Sequence, residues 1–175
     1  MELLQKHHNL EPFDCKKHPS LNSWLKRFAL VSQQSESTRT YVLHRDQAVI
    51  GYYSLCAGSV SKAEATVRVA KGQPNHPVSV ILLARLALDH RDQGQKLGAA
   101  FLKDALLRCS QAGDIIGVRA ILVHAIDGDA KNFYRHFGFE ECPVDELHLM
   151  LLMKQQCTYK LAQLKVNWNT SFPRT

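Results

Sequence analysis

The sequence predicts an α+β domain: a central, mixed and twisted sheet of about six or seven strands, flanked by helices. Three observations carry this. An apolar run, Val78 to Leu88, leads through the polar stretch Asp89-His-Arg-Asp-Gln93 to Gly94 and then into an amphipathic segment. It is too short to span a membrane and long enough for a buried strand. A second apolar run, Ala120 to Ile126, follows that helical segment, and a strand-helix-strand order implies a right-handed crossover between parallel strands. Upstream, Thr40–His44 and Val49–Cys56 read as two strands, with Arg45, Asp46 and Gln47 as the hairpin turn between them.

The remaining elements follow in order. Met1 to Asp14 gives a weak strand signal. Pro19 and Ser20 suit a helix start, and Leu21, Trp24, Leu25 and Phe28 form an apolar stripe to about Leu30. Lys26 and Arg27 are read as a solvated face of that helix. Ser32 to Thr38 reads as a loop, and Gly58 to Pro77, with Lys62, Arg68 and Lys71, as a basic solvated loop. After the central strand, Leu97, Ala100, Phe101, Ala105 and Cys109 make one helical stripe, with Asp104, Arg108 and Gln111 opposite. Asp127-Gly-Asp129 supplies cap residues for a helix carrying Ala130, Phe133, Tyr134 and Phe137, which Gly138 stops. Phe139–Cys142 and Leu147–Met153 read as a closing hairpin around Pro143 to Glu146.

With 175 residues, one domain is expected over 1–154, followed by a polar tail, 155–175, in which Leu161 and Leu164 anchor at most a short helix. The net charge of +6 favours acidic partners, CoA phosphates or nucleic acid. Five cysteines form no CxxC pair and read as reduced, core-filling thiols of a cytosolic protein. The nine histidines are scattered, without HExxH or a Cys/His cluster, so no metal is expected. No signal peptide is evident.

The turn after the central strand is the place for chemistry. The first amides of a helix lack intrahelical partners and carry partial positive charge, and glycine lets an anion approach the backbone. Neither the dinucleotide fingerprint GxGxxG nor the P-loop pattern fits here. What fits is Arg91-x-x-Gly94-x-x-x-Gly98, which resembles the pyrophosphate loop Q/R-x-x-G-x-G/A of the GNAT acetyltransferases, with Lys96 at the second small position. Ala130-Lys-Asn-Phe-Tyr-Arg-His-Phe-Gly-Phe139 resembles the second signature of that family, A-x-x-F-Y-x-x-x-G-F. The likeness runs from about Phe13 to Lys154. Phe13-Asp-Cys15, Leu21-x-x-Trp-Leu25, Ile50-Gly-Tyr-Tyr-Ser54, Leu83-Ala-Arg-Leu-Ala87 and Leu149-Met-Leu-Leu-Met-Lys154 are similar to the GNAT toxins of bacterial toxin–antitoxin modules.

That resemblance implies a GNAT fold with a V-shaped splay at the cofactor cleft, acetyl-CoA as donor, and the α-amine of aminoacyl-tRNA as acceptor, so that translation is blocked. It also implies a homodimer, a ribbon-helix-helix antitoxin and a cytoplasmic location with no membrane contact. Arg91, Gln93, Gly94, Gln95, Lys96, Leu97 and Gly98 become the cofactor loop, with Asn132 on the pantetheine arm. The backbone around Leu86, Ala87 and Leu88 becomes the oxyanion hole. Spacing alone makes Tyr134 a core residue; the signature makes it the general acid for the CoA sulfur. Arg85, Lys131 and Arg135 are the tRNA candidates. A free α-amine is partly neutral at physiological pH, with a pKa of roughly 7.7–8.0, so the absence of a general-base motif is no objection. At Lys96 the charge suits an anion and the bulk does not; because a Cβ in a tight turn cannot be moved aside, the reading leans to impaired binding, with Lys96→Gly expected to tighten it. A GNAT enzyme acting on a small amine or a protein N-terminus, and an impaired GNAT-like binding module, stay open as alternatives.

Overall fold

The structure, a computed structural model, describes residues 1–153; the tail, 155–175, lies outside them. Seven strands form one open mixed sheet: β1 (Glu2–Leu3), β2 (Arg39–Arg45), β3 (Ala48–Val60), β4 (Val78–Leu88), β5 (Ala120–His124), β6 (Glu140–Glu141) and β7 (His148–Leu152). Their order is β1-β2-β3-β4-β5-β7-β6. The helices are α1 (Pro19–Arg27), α2 (Ala29–Gln34), α3 (Val67–Ala70), α4 (Leu97–Ile115) and α5 (Gly128–His136). The chain divides into two compact units, one comprising Met1–Ala57 and Leu82–Ala105, the other Gly58–Ile81 with the chain from Leu106 onward.

In the first unit β2 and β3 form the expected hairpin, with Arg45 pairing Ala48. Asp46 and Gln47 both take positive φ, 49° and 69°, the pattern of the turn that matches strand twist. The register shifts between Leu43 and His44, a bulge beside Ile50. Successive residues Tyr52 and Tyr53 are both fully buried, so both faces of β3 are covered. On one face Tyr52 joins Leu4, Phe13, Leu25, Ala29, Val42 and Ala87 under α1 and α2. On the other, Tyr53 meets Phe101 of α4 edge-on at 6.2 Å and donates to the Asp104 carboxylate. Asp104, half-buried opposite the apolar stripe of α4, is the acceptor of that bond. The proposed loop Ser32–Thr38 is shortened because α2 runs to Gln34, whose helical pattern was too brief to detect.

In the second unit β5 and β7 pair antiparallel from Ala120↔Leu152 to His124↔His148, and β6 pairs with β7 at Glu140↔Met150. The hairpin is as expected, while β5 ends two residues early, at His124. The basic stretch after Gly58 is not simply a solvated loop. It holds the end of β3 and α3, Lys62 donates to the Gln73 carbonyl at 2.7 Å, and Arg68 pairs with Glu140. Arg119 caps α3 by donating to the carbonyls of Val69 and Lys71 at 3.1 and 3.0 Å.

At Gly51 β3 comes close to α4 and to the end of β4. A Cβ there would stand 2.6 Å from both Leu88 Cδ2 and Phe101 Cζ, and Phe101 is fully buried. Gly51→Ala should lower stability by about 1–3 kcal/mol in denaturant titrations. An unchanged midpoint would show that these side chains repack freely.

Candidate functional site

The candidates fall into two groups, one in each unit. In the first, β4 ends at Leu88 and the chain turns on Asp89. The Asp89 side chain is fully buried. It accepts from the amide of Asp14 at 3.0 Å, and from the amide, Nε and Nη2 of Arg91 at 3.0, 2.7 and 2.8 Å. The Arg91 guanidinium holds its carboxyl far below the usual carboxylate range. Arg91 also donates to the Pro12 carbonyl at 2.9 Å, so its side chain ties the segment around Pro12 to the turn. Asp92 pairs with Arg45 at 3.1 Å, and Gln93 donates to the Leu88 carbonyl at 3.2 Å.

Beyond these anchors the turn opens. Gly94 has φ of +79°, and nothing lies within 4 Å of where its Cβ would stand. Lys96 has φ of +60°, the left-handed conformation that a glycine takes at least cost, and it is exposed. Its carbonyl accepts from Ala100 at 3.4 Å as α4 begins. Leu97 and Gly98 are half-buried, Gln93 and Gln95 exposed. The free amides of the first turn of α4 therefore lie beside an open, glycine-like backbone. That is the chemistry a CoA pyrophosphate needs, and the residues present fit it. Leu86 and Leu88 are half-buried and Ala87 is buried, on the strand that feeds this turn.

The second group is on α5. Asp127 caps the helix, its carboxylate accepting from the Ala130 amide at 2.8 Å, so this side chain has a structural task. At the other end Gly138, with φ of +82°, donates to the Arg135 carbonyl and Phe139 to the Tyr134 carbonyl, at 2.8 and 3.2 Å. This is a Schellman closure, and its usual apolar contact is made by Tyr134 and Phe139, with ring centroids 5.4 Å apart. Phe133 meets Tyr134 edge-on at 5.3 Å. Tyr134 is 7% exposed, and its hydroxyl has no hydrogen-bond partner among the described residues. Burial pushes the phenol well above the ordinary tyrosine value, so it stays protonated at neutral pH. Asn132 is exposed on the same helix.

The three tRNA candidates differ. Lys131 pairs with Glu146 at 2.9 Å and Glu141 at 3.2 Å, and Arg135 with Glu141 at 3.4 Å. Arg85 instead lies over the Trp24 ring, 4.2 Å from its centroid, with no carboxylate partner among the described residues. Folding also gathers histidines that looked scattered: Glu2 Oε1 lies 2.8 Å from His8 Nε2 and 3.2 Å from His44 Nε2. His8 Nδ1 accepts from the Gln5 amide at 3.0 Å, which puts the ring proton on Nε2, toward Glu2. That proton stands where a metal would bind. A cleft of about 380 Å³ lined by Gln73, His76, Ser79 and Arg119 contains none of the candidates.

Sequence reading missed Asp89 as the anchor of the turn and Trp24 as the partner of Arg85. An acidic residue immediately after a buried apolar run was the only available signal for the first; nothing in the sequence marked the second.

A strand, an anchored glycine turn and a helix N-terminus, followed by a Tyr-bearing helix closed by glycine, define the class. Residues 36–141 match the acetyltransferase (GNAT) domain model, and the chain belongs to that family. More particularly, the chain is 52% identical over 136 residues to the "tRNA-acetylating toxin" of Mycobacterium tuberculosis, covering 78% of this chain and 81% of that one. Among solved structures, AtaT complexed with acetyl-methionyl-tRNAfMet matches with a TM-score of 0.81 at 26% identity, covering 94% and 97% of the two chains. An AtaT mutant toxin bound to the C-terminus of the antitoxin AtaR and acetyl-CoA matches with a TM-score of 0.75 at 25% identity, covering 95% and 97%.

Lys96 yields a direct test. Its backbone already holds the conformation of a glycine, so Lys96→Gly should raise stability by about 1 kcal/mol by relieving left-handed strain. Sequence alone weighs its bulk against binding, whereas the side chain is exposed, so its ammonium would face an anion held by this turn. Calorimetry should show acetyl-CoA binding weakened about three- to tenfold by Lys96→Gly, and less so at high salt. Tighter binding would instead show that the Cβ obstructs the donor.

Proposed function

We propose that this protein transfers the acetyl group of acetyl-CoA to the α-amine of aminoacyl-tRNA and thereby stops translation. The observation that carries the chemistry is Tyr134, a buried, protonated phenol with no hydrogen-bond partner among the described residues, fixed by the closure of α5 in the family's second signature. The acceptor class is supported by the 52% identity to a tRNA-acetylating toxin and by the fold shared with a tRNA-bound AtaT.

Acetyl-CoA supplies the acetyl group as a thioester. The turn from Arg91 to Gly98 binds its pyrophosphate through backbone amides, and Asn132 contacts the pantetheine arm. The amides around Leu86 to Leu88 polarise the thioester carbonyl as charge develops on its oxygen. The neutral fraction of the α-amine attacks, the N–C bond forms and its extra proton leaves to solvent. The C–S bond breaks as Tyr134 gives its proton to the sulfur, and solvent reprotonates the phenolate. Lys131 and Arg135 lie on α5 beside Tyr134 in sequence and add positive charge toward the tRNA, tempered by Glu141 and Glu146. A homodimer in the bacterial cytoplasm, neutralised by a ribbon-helix-helix antitoxin, completes this reading. Among the described residues no helix is long and apolar enough to cross a membrane.

The test is a translation extract supplied with acetyl-CoA, with mass analysis of its aminoacyl-tRNA. The expected outcome is arrested synthesis and acetylated aminoacyl-tRNA. Undiminished synthesis without that product would overturn the acceptor assignment. Tyr134→Phe should lower turnover by roughly 10²–10⁴-fold, equivalent to about 3–5 kcal/mol of barrier, with melting temperature and acetyl-CoA affinity little changed. Near-normal turnover in that variant would remove Tyr134 from the mechanism.

A further inference from the structure

Arg85 is a half-buried cation of the first unit with neither carboxylate nor hydrogen-bond partner among the described residues. Two other cations of the same unit are neutralised, Arg91 by Asp89 and Arg45 by Asp92. A partly desolvated guanidinium left uncompensated is unfavourable, and it is retained where something else brings the counter-charge.

The strand register places Arg85 at the end of a polar row. The Asp89 amide donates to the Ile50 carbonyl at 2.9 Å, Gly51 faces Leu88, and Gly58 faces Val80. Strands β3 and β4 therefore run antiparallel, and counting along both sets Arg85 alongside Ser54. Ser54 in turn pairs with Thr40 on β2. Across three strands this row reads Thr40, Ser54, Arg85, one step from Val42 and Tyr52 on the face that α1 covers. Ser54 and Thr40 are fully buried, and both hydroxyls lack a hydrogen-bond partner among the described residues. The Arg85 Cζ lies over the Trp24 ring, 4.2 Å from its centroid, and no carboxylate or hydrogen-bond acceptor among the described residues takes its N–H groups, which suit a planar, bidentate partner.

The chemistry of the acceptor then selects the group. At the 3′ end of an aminoacyl-tRNA the amine is cationic or neutral and the ester is neutral; only the phosphodiesters are anionic. Arg85 immediately precedes the Leu86–Leu88 backbone, so a phosphate bound there lies close to the reacting amine along the acceptor strand. We propose that Arg85, positioned by Trp24, binds the phosphodiester joining the terminal aminoacylated nucleotide to the one before it. This rests on aminoacyl-tRNA being the acceptor. It makes Arg85 a specificity residue that distinguishes an aminoacylated oligonucleotide from a free amine.

The experiment pairs the protein with aminoacyl-tRNA carrying either a natural phosphodiester or a neutral methylphosphonate at that last linkage. Arg85→Gln with the natural substrate, and the wild type with the methylphosphonate, should each lose about 10–100-fold in kcat/KM. Combining the two changes should cost no more than either alone. Arg85→Gln should also reduce the salt dependence by about one unit of slope, while acetyl-CoA affinity and melting temperature stay as in the wild type. Trp24→Phe should keep most of the effect and Trp24→Ala should lose it. Additive losses, or a wild type indifferent to the methylphosphonate, would overturn the proposal, and the second result needs no variant to fold. A wild type that acetylates no aminoacyl-tRNA at all would instead sink the acceptor reading beneath it.

Discussion

The turn between β4 and α4 depends on one buried carboxylate. Asp89 has no access to solvent, and a charge in that position is tolerated only because donors surround it: the Asp14 amide and three N–H groups of Arg91. Those bonds do two things at once. They turn the chain at the end of β4, and they fasten the segment from Pro12 to Asp14 across it, where His90 returns the contact by donating its amide to the Asp14 carbonyl at 2.9 Å. Because Arg91 keeps Asp89 ionised far below neutral pH, this clamp persists over the whole physiological range. The turn is thus ordered before any ligand arrives, and the ordering entropy that a loose phosphate loop would lose on binding is already lost in folding.

That ordering explains how a lysine can stand where the family pattern has a small residue. A left-handed φ at a non-glycine position costs about 1–2 kcal/mol, and such strain persists only where the surroundings over-determine it. Asp89, Asp92 and Gln93 fix the approach to the turn, and the 19-residue helix α4 fixes its exit. Between these two anchors Lys96 has no cheaper conformation to relax into. The pattern's small residue is a requirement on the backbone, and the backbone meets it here without glycine.

Much of this was legible along the chain. Strand β4 was bounded correctly because an apolar run ended abruptly in Asp89-His-Arg, and the start of α4 and the end of α5 carried glycine signals that the structure uses. What escaped reading were pieces too short to show a period, such as the four-residue α3 and the six-residue α2, and bonds between distant positions. Nothing local shows that Asp89 will accept from an amide 75 residues upstream. Nor does anything local show that Glu141 and Glu146 will draw in Lys131 and Arg135, whereas Arg85 will find an indole. As letters these three cations are equivalent; only tertiary contacts separate them.

The same contacts clarify why so few polar groups suffice for the chemistry. Tyr134 sits at a position that closes a helix, so its backbone and ring are fixed by the Schellman bonds and by Phe139 whatever its hydroxyl does. With no hydrogen-bond partner among the described residues, that hydroxyl could give up and regain a proton without loosening α5, as the proposed general acid requires. Asp127 shows the opposite arrangement at the other end of the helix, where the carboxylate is bound to the Ala130 amide and its removal would cost the cap. From the cap Asp127 to the closing Phe139, the group that holds the helix and the proposed proton donor are different side chains. A substitution at Tyr134 can therefore act on rate with little effect on stability, while one at Asp127 acts on stability first.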